Sequence, residues 1–273
     1  MKQYLKVNIP CIYISLREIL IALLPDMGLE GIEETEDGIL AYGVENNVDH
    51  EVLEITLKGM GLEYTCSVLQ EENWNANWES NFEPVIIPGK ILIRADFHPE
   101  MVGFEQTILI TPKMSFGTGH HSTTRMMMEE MLEMDLQGKK VFDFGTGTGV
   151  LAILASKLGA AEVKAIDNDD WSIMNAKENI QRNGCENIQV ELADTLETES
   201  GAEIILANIN KHILLEHASA MRKTLKPEGV LLISGLLSQD YNDILAVFSP
   251  LFGKLTSKRE DKNWISLMFK GNV

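Results

Sequence analysis

The stretch Val141-Phe142-Asp143-Phe144-Gly145-Thr146-Gly147-Thr148-Gly149 decides the fold. An apolar run enters it, and a second apolar run, Val150-Leu151-Ala152-Ile153-Leu154-Ala155, leaves it. The pattern reads as strand, glycine turn, helix. Glycine lets the chain turn tightly and lets a ligand approach the main chain. The helix that follows directs unpaired N–H groups and the positive end of its dipole into the turn. A Gly-x-Gly turn alone serves several nucleotide-type cofactors. Asp143, two residues before Gly145, narrows the choice. A dinucleotide site keeps that strand end apolar and sets a pyrophosphate at the helix N-terminus. A ligand with an ammonium and no phosphate, such as S-adenosyl-L-methionine, suits Asp143, Gly145 and Gly147 better. The competing reading of Asp143 is a turn acid that caps backbone amides.

Downstream, Glu162 to Asp169 reads as a second strand ending in acids, with Asp167 placed 22 residues beyond Gly145. A carboxylate there can accept hydrogen bonds from a ribose diol, which NAD and S-adenosyl-L-methionine share. Residues 172–183 read as a helix and 187–192 as a third strand, followed by Asp194. That acid either accepts a bond from an adenine amino group or simply forms the turn. Residues 203–207 form a fourth strand closed by Asn208-Ile209-Asn210. A carboxamide at the carboxyl end of a parallel strand sits where doubly wound sheets bind ligands. His212 and His217, five apart in the next helix, read as helix-surface residues. Lys226-Pro227-Glu228-Gly229 reads as a turn into strand 230–234, then a helix over 244–252 and a closing hairpin over 254–258 and 264–270.

Upstream, Pro84 to Pro112 carries strand signals. Between Pro112 and a helix expected from Arg125 lies a glycine- and hydroxyl-rich loop, Lys113 to Thr124. It is expected to fold over the cofactor with Phe116 as an apolar cover. Its hydroxyls also suit helix capping. His120-His121 has no carboxylate or cysteine at ligand spacing, so no metal is expected. Residues 4–69 alternate in the order β-α-β-β-α-β, which suggests a ferredoxin-like module. A capping box is expected at Ser15 and Glu18. Domain boundaries are expected at 1–68 and 84–273, joined by a helical linker over 69–83 whose Trp74, Trp78 and Phe82 lie at i, i+4, i+8.

The 273 residues carry a formal charge of −18, which argues against phosphate-backbone binding and favours either a basic partner or simply solubility. Residues 1–72 hold four Lys or Arg against fourteen Asp or Glu, a formal −10. Three scattered cysteines, no signal-peptide pattern and no membrane-length apolar run suggest a reducing cytoplasm.

Together these residues resemble the ribosomal protein L-eleven methyltransferase family (PrmA) over nearly the whole chain. The most specific match is Phe116-Gly117-Thr118-Gly119-His120-His121-Ser122-Thr123-Thr124, similar to the family's F-G-T-G-x-H-x-T-T. Thr146 and Thr148 stand where the family usually has Cys and Ser, and His120 and Ser122 where it has Thr and Pro. The resemblance implies a class I methyltransferase (an α/β Rossmann-like, seven-stranded sheet) with a small ferredoxin-like α+β domain. It implies cofactor contacts at Thr124, Gly145, Asp167 and Asn208. The reaction implied is methyl transfer from S-adenosyl-L-methionine to amines, chiefly lysine, of a basic large-subunit ribosomal protein. Asn208 is the residue expected to hold the amine. An NAD-dependent oxidoreductase is the competing class; it explains Gly145 and Asp167 but leaves Asp143, Asn208 and the 116–124 loop without a role. A glutamine-amide or adenine-amino methyltransferase would be expected to place Pro-Pro-aromatic after Asn208, where Ile209-Asn210-Lys211 stands.

Overall fold

The computed structural model describes residues 3–70, 82–113, 115–196 and 201–271. The chain forms two compact units, Met1–Phe82 and Glu83–Val273. Trp74, Trp78 and most of the expected helical linker lie outside the described residues. Among the described residues no helix is long and apolar enough to cross a membrane.

In the first unit, β1 (Gln3–Pro10) precedes α1 (Ile14–Leu23), β2 (Gly31–Glu34), β3 (Gly38–Val44), α2 (His50–Gly59) and β4 (Thr65–Gln70). The sheet runs β2-β3-β1-β4 with antiparallel neighbours, a ferredoxin-like arrangement. The period of two in β1 turns Leu5, Val7 and Ile9 inward, where Leu20, Leu53 and Leu57 of the helices meet them. Asp49 caps α2 by accepting from Val52 N at 3.1 Å. The expected capping box in α1 does not form. The helix starts at Ile14, so Ser15 lies inside its first turn, and Tyr13 is the N-cap with no side-chain bond.

The second unit opens with a three-stranded sheet, β5 (Val85–Ile87), β6 (Ile91–Arg94) and β7 (Gln106–Leu109). Helix α3 covers Ser122–Met131, three residues ahead of its expected start, because His121 caps it. The main sheet contains β8 (Lys140–Phe144), β9 (Glu162–Asp167), β10 (Ile188–Leu192), β11 (Ala202–Asn208), β12 (Leu225–Leu237), β13 (Lys254–Asp261) and β14 (Trp264–Lys270). Its order is β10-β9-β8-β11-β12-β14-β13. The first five strands are parallel, and β14 enters antiparallel between β12 and β13. Helices α4 (Val150–Lys157), α5 (Asp170–Arg182), α6 (Lys211–Thr224) and α7 (Tyr241–Phe252) connect the strands. The turn expected at Lys226–Gly229 is a bulge inside β12, where the register passes from Ala202–Leu225 to Ile204–Val230. The chain leaves β8 toward β9 on one side and returns at β11 on the other. That reversal opens a crevice at the carboxyl ends of β8 and β11, where open α/β sheets bind ligands.

Candidate active site

The glycine turn after β8 needs its glycines. Gly145, Gly147 and Gly149 have φ of +76°, +55° and +81°, a region that side chains with a Cβ rarely adopt. A Cβ on Gly145 would meet Ile209 Cγ2 at 2.3 Å, and one on Gly147 would meet Phe116 O at 2.2 Å. The Gly145 and Thr146 amides both donate to Ile166 O at 2.9 Å. The next donors reach the 115–121 loop: Thr148 N donates to Phe116 O at 2.9 Å and Thr148 Oγ1 to Gly117 O at 2.6 Å. The loop is thereby latched to the turn through two of its own carbonyls, and Phe116 stands at the cleft mouth, 55% exposed.

The crevice is a cleft of about 980 Å³. Phe116, Gly145, Gly147, Asp167, Asp194 and Asn208, drawn from five separated stretches of sequence, all line it. Its described walls carry three carboxylates (Asp167, Asp194 and Glu216) and no Lys or Arg. Such a cleft attracts a cationic ligand and repels a pyrophosphate. Asp167 accepts from Gly147 N through Oδ2 at 2.8 Å and from Asp169 N through Oδ1 at 3.1 Å. Each carboxylate oxygen accepts about two bonds, so each keeps a lone pair for a ribose hydroxyl.

Two expected contacts lie behind the wall. Thr124 is wholly buried, and its hydroxyl accepts from Asn208 Nδ2 at 3.1 Å. That bond fixes the carboxamide and leaves Asn208 Oδ1 buried with no partner among the described residues. A buried acceptor without a donor is costly, and this oxygen at the cleft is available to accept from a ligand. Asp143 sits beneath the turn, 1% exposed, with Oδ2 accepting from Thr146 Oγ1 at 2.6 Å. Burial pushes its pKa up to about 7; the Thr146 hydroxyl opposes that shift and the Asp167 charge adds to it. Asp143 is not among the residues that line the cleft.

The cleft also contains residues the sequence does not advertise. His217, read as a helix-surface residue, instead lines the cleft with its ring edge-on to Phe144, centroids 5.1 Å apart. His121 accepts from Thr123 N at 3.3 Å, and its ring joins Phe116 (5.4 Å) to Trp264 (4.8 Å). Trp264 reaches the cleft because β14 runs antiparallel beside β12 and brings its first residue opposite Leu237.

The strand order, the glycine turn and a cleft whose described walls are acidic define a class I methyltransferase that uses S-adenosyl-L-methionine. The family model for ribosomal protein L11 methyltransferase (PrmA) matches residues 27–272. The chain belongs to that family. The ribosomal protein L11 methyltransferase of Porphyromonas gingivalis is 40% identical over 261 residues, spanning 92% of this chain and 90% of the relative. That of Phocaeicola vulgatus is 39% identical over 263 residues, spanning 93% and 94%. Among solved structures, a ribosomal protein L11 methylase from Lactobacillus delbrueckii subsp. bulgaricus superposes with a TM-score of 0.64 at 27% identity. It covers 70% of this chain and 100% of its own.

Proposed function

We propose that this chain transfers methyl groups from S-adenosyl-L-methionine to amino groups, chiefly lysine side chains, of ribosomal protein L11. The observation that carries the reading is Asn208 Oδ1, an acceptor buried without a partner among the described residues and locked by Thr124 in a cleft whose described walls hold no Lys or Arg. An amine N–H is the donor that such an oxygen lacks, and the family to which the chain belongs supplies the protein that bears it.

The residues divide the work. Asp167 holds the ribose diol, and Asp194 accepts from the adenine amino group. Gly145 and Gly147 let the ligand lie against the turn, with Asp143 supplying negative charge beneath it. Phe116 covers the cleft. The cofactor supplies a sulfonium methyl, and the chain's task is to set a neutral amine in line with it. Asn208 Oδ1 orients that amine, and exclusion of water from the covered cleft makes loss of the ammonium proton easier. The proton leaves to solvent; no side chain is assigned as base. The N-terminal unit, with its acidic excess, holds the basic protein substrate. A ribosomal protein as substrate places this work in the cytoplasm.

Calorimetry tests the cofactor assignment. S-adenosylhomocysteine should bind and NAD should not; tight NAD binding with no response to S-adenosylhomocysteine would reject it.

A further inference from the structure

The N-terminal unit presents three consecutive large apolar side chains to solvent. Ile12, Tyr13 and Ile14, between β1 and the start of α1, are 75%, 69% and 73% exposed. The neighbouring Cys11 turns into the core at 4%. Single exposed apolar residues are ordinary, whereas a contiguous cluster marks a surface that meets something.

The cluster is also held rigidly. Arg17 donates from Nε to Cys11 O at 2.6 Å, from Nη1 to Thr35 O at 2.7 Å and from Nη2 to Glu36 O at 2.9 Å. One guanidinium therefore ties the 11–13 loop to the 35–37 turn. Cys11 N adds a bond to Asp37 O at 2.9 Å. Gly38 lets the strands close together there, since a Cβ would meet Ile9 O at 2.2 Å. The arrangement costs little conformational entropy when a partner lands on it.

With Arg17 engaged, the exposed charges beside the apolar cluster are acidic: Glu18 on α1, and Glu36 and Asp37 on the adjoining turn. We propose that this tip, Ile12-Tyr13-Ile14 flanked by Glu18, Glu36 and Asp37, is the surface on which the basic protein substrate docks. The proposal rests on the function proposed above and localises its recognition step. The partner it fits is a segment with exposed apolar side chains bordered by Lys or Arg. A second copy of this chain fits poorly, because symmetric contact would bring like carboxylates together.

The test uses the full chain with purified ribosomal protein L11. Two variants are compared with the parent, the double substitution Ile12→Ser/Ile14→Ser and the charge reversal Glu36→Lys. All five side chains named at the tip besides Tyr13 are exposed, so melting temperature and S-adenosylhomocysteine affinity should stay at parental values. KM for the ribosomal protein should rise at least about tenfold in the double variant, the size of loss that truncated interface anchors produce. Turnover at saturating substrate, and methylation of a short lysine peptide, should be unchanged. In Glu36→Lys the salt dependence of KM should weaken. A parental KM in both variants overturns the docking surface while leaving the function intact. Sedimentation showing a parental dimer that the double variant breaks also overturns it, by making the tip a self-interface. No methylation by the parent itself overturns the function reading, and this proposal with it.

Discussion

Substituting Asp167→Asn changes one oxygen to an amino group and little else in shape, yet it should damage the site. In the parent both carboxylate oxygens accept backbone donors, Gly147 N at 2.8 Å and Asp169 N at 3.1 Å. Asparagine has a single acceptor oxygen, so one of those N–H groups must face an NH2. An unpaired donor of this kind costs roughly 1–3 kcal/mol. That loss falls on the free protein and the complex alike, so it appears in stability. Cofactor affinity feels a second loss, that of an acceptor for one ribose hydroxyl. A hydrogen bond to a charged group is worth roughly 1.5–3 kcal/mol, so affinity should fall between about tenfold and about a hundredfold. Titration calorimetry with S-adenosylhomocysteine reads the second term, and denaturant melts of the free protein read the first. A folded Asp167→Asn protein that binds S-adenosylhomocysteine as the parent does would reduce Asp167 to a strand-end acid and refute its role at the ribose.

Thr124→Val removes the acceptor that holds Asn208 Nδ2; turnover should fall roughly tenfold to a hundredfold with cofactor affinity nearly unchanged, as measured by single-turnover kinetics beside calorimetry. Asp143 binds a proton in the folded chain up to about pH 7, whereas its ordinary pKa is 3.8. The folded state therefore binds more protons between those values, and this group's contribution to stability declines as pH rises from about 4 to about 7. Asp143→Asn should lose that decline in pH-dependent melts, and a parental slope in the variant would assign it elsewhere. A ligand ammonium near the turn favours the ionised acid, so S-adenosylhomocysteine binding near neutral pH should release a proton in the parent and not in Asp143→Asn; calorimetry in buffers of differing ionisation enthalpy checks this. The fragment 84–273 should bind S-adenosylhomocysteine nearly as the full chain does but methylate the intact protein substrate poorly, with the defect shrinking as substrate is raised; full activity in the fragment would remove the N-terminal unit from recognition.

The features legible in the sequence are those whose physics is local. The 141–149 turn is readable because left-handed glycines and an entering apolar strand are adjacent in the chain. Asp167, Asp194 and Asn208 follow from one rule, that polar residues at the carboxyl ends of parallel strands gather at the crevice. What escaped depends on packing between distant elements. His217 belongs to the cleft because of how α6 lies on Phe144, and its spacing from His212 says nothing of that. Trp264 joins the site through the antiparallel insertion of β14, a property of strand order. The capping box at Ser15 failed because the helix starts two residues earlier than an N-cap at Ser15 requires, and capping signals resolve no finer than that. His121 displaced the adjacent hydroxyls as the cap of α3 because its imidazole nitrogen meets Thr123 N, an outcome that residue preferences alone do not rank.

Mass spectrometry of purified ribosomal protein L11, incubated with the full chain and isotopically labelled S-adenosyl-L-methionine, tests the account most directly. The account predicts label on lysine or other amino groups of the protein, lost in a folded Asn208→Ala variant that still binds S-adenosylhomocysteine. An unlabelled protein, or label undiminished in Asn208→Ala, would contradict it.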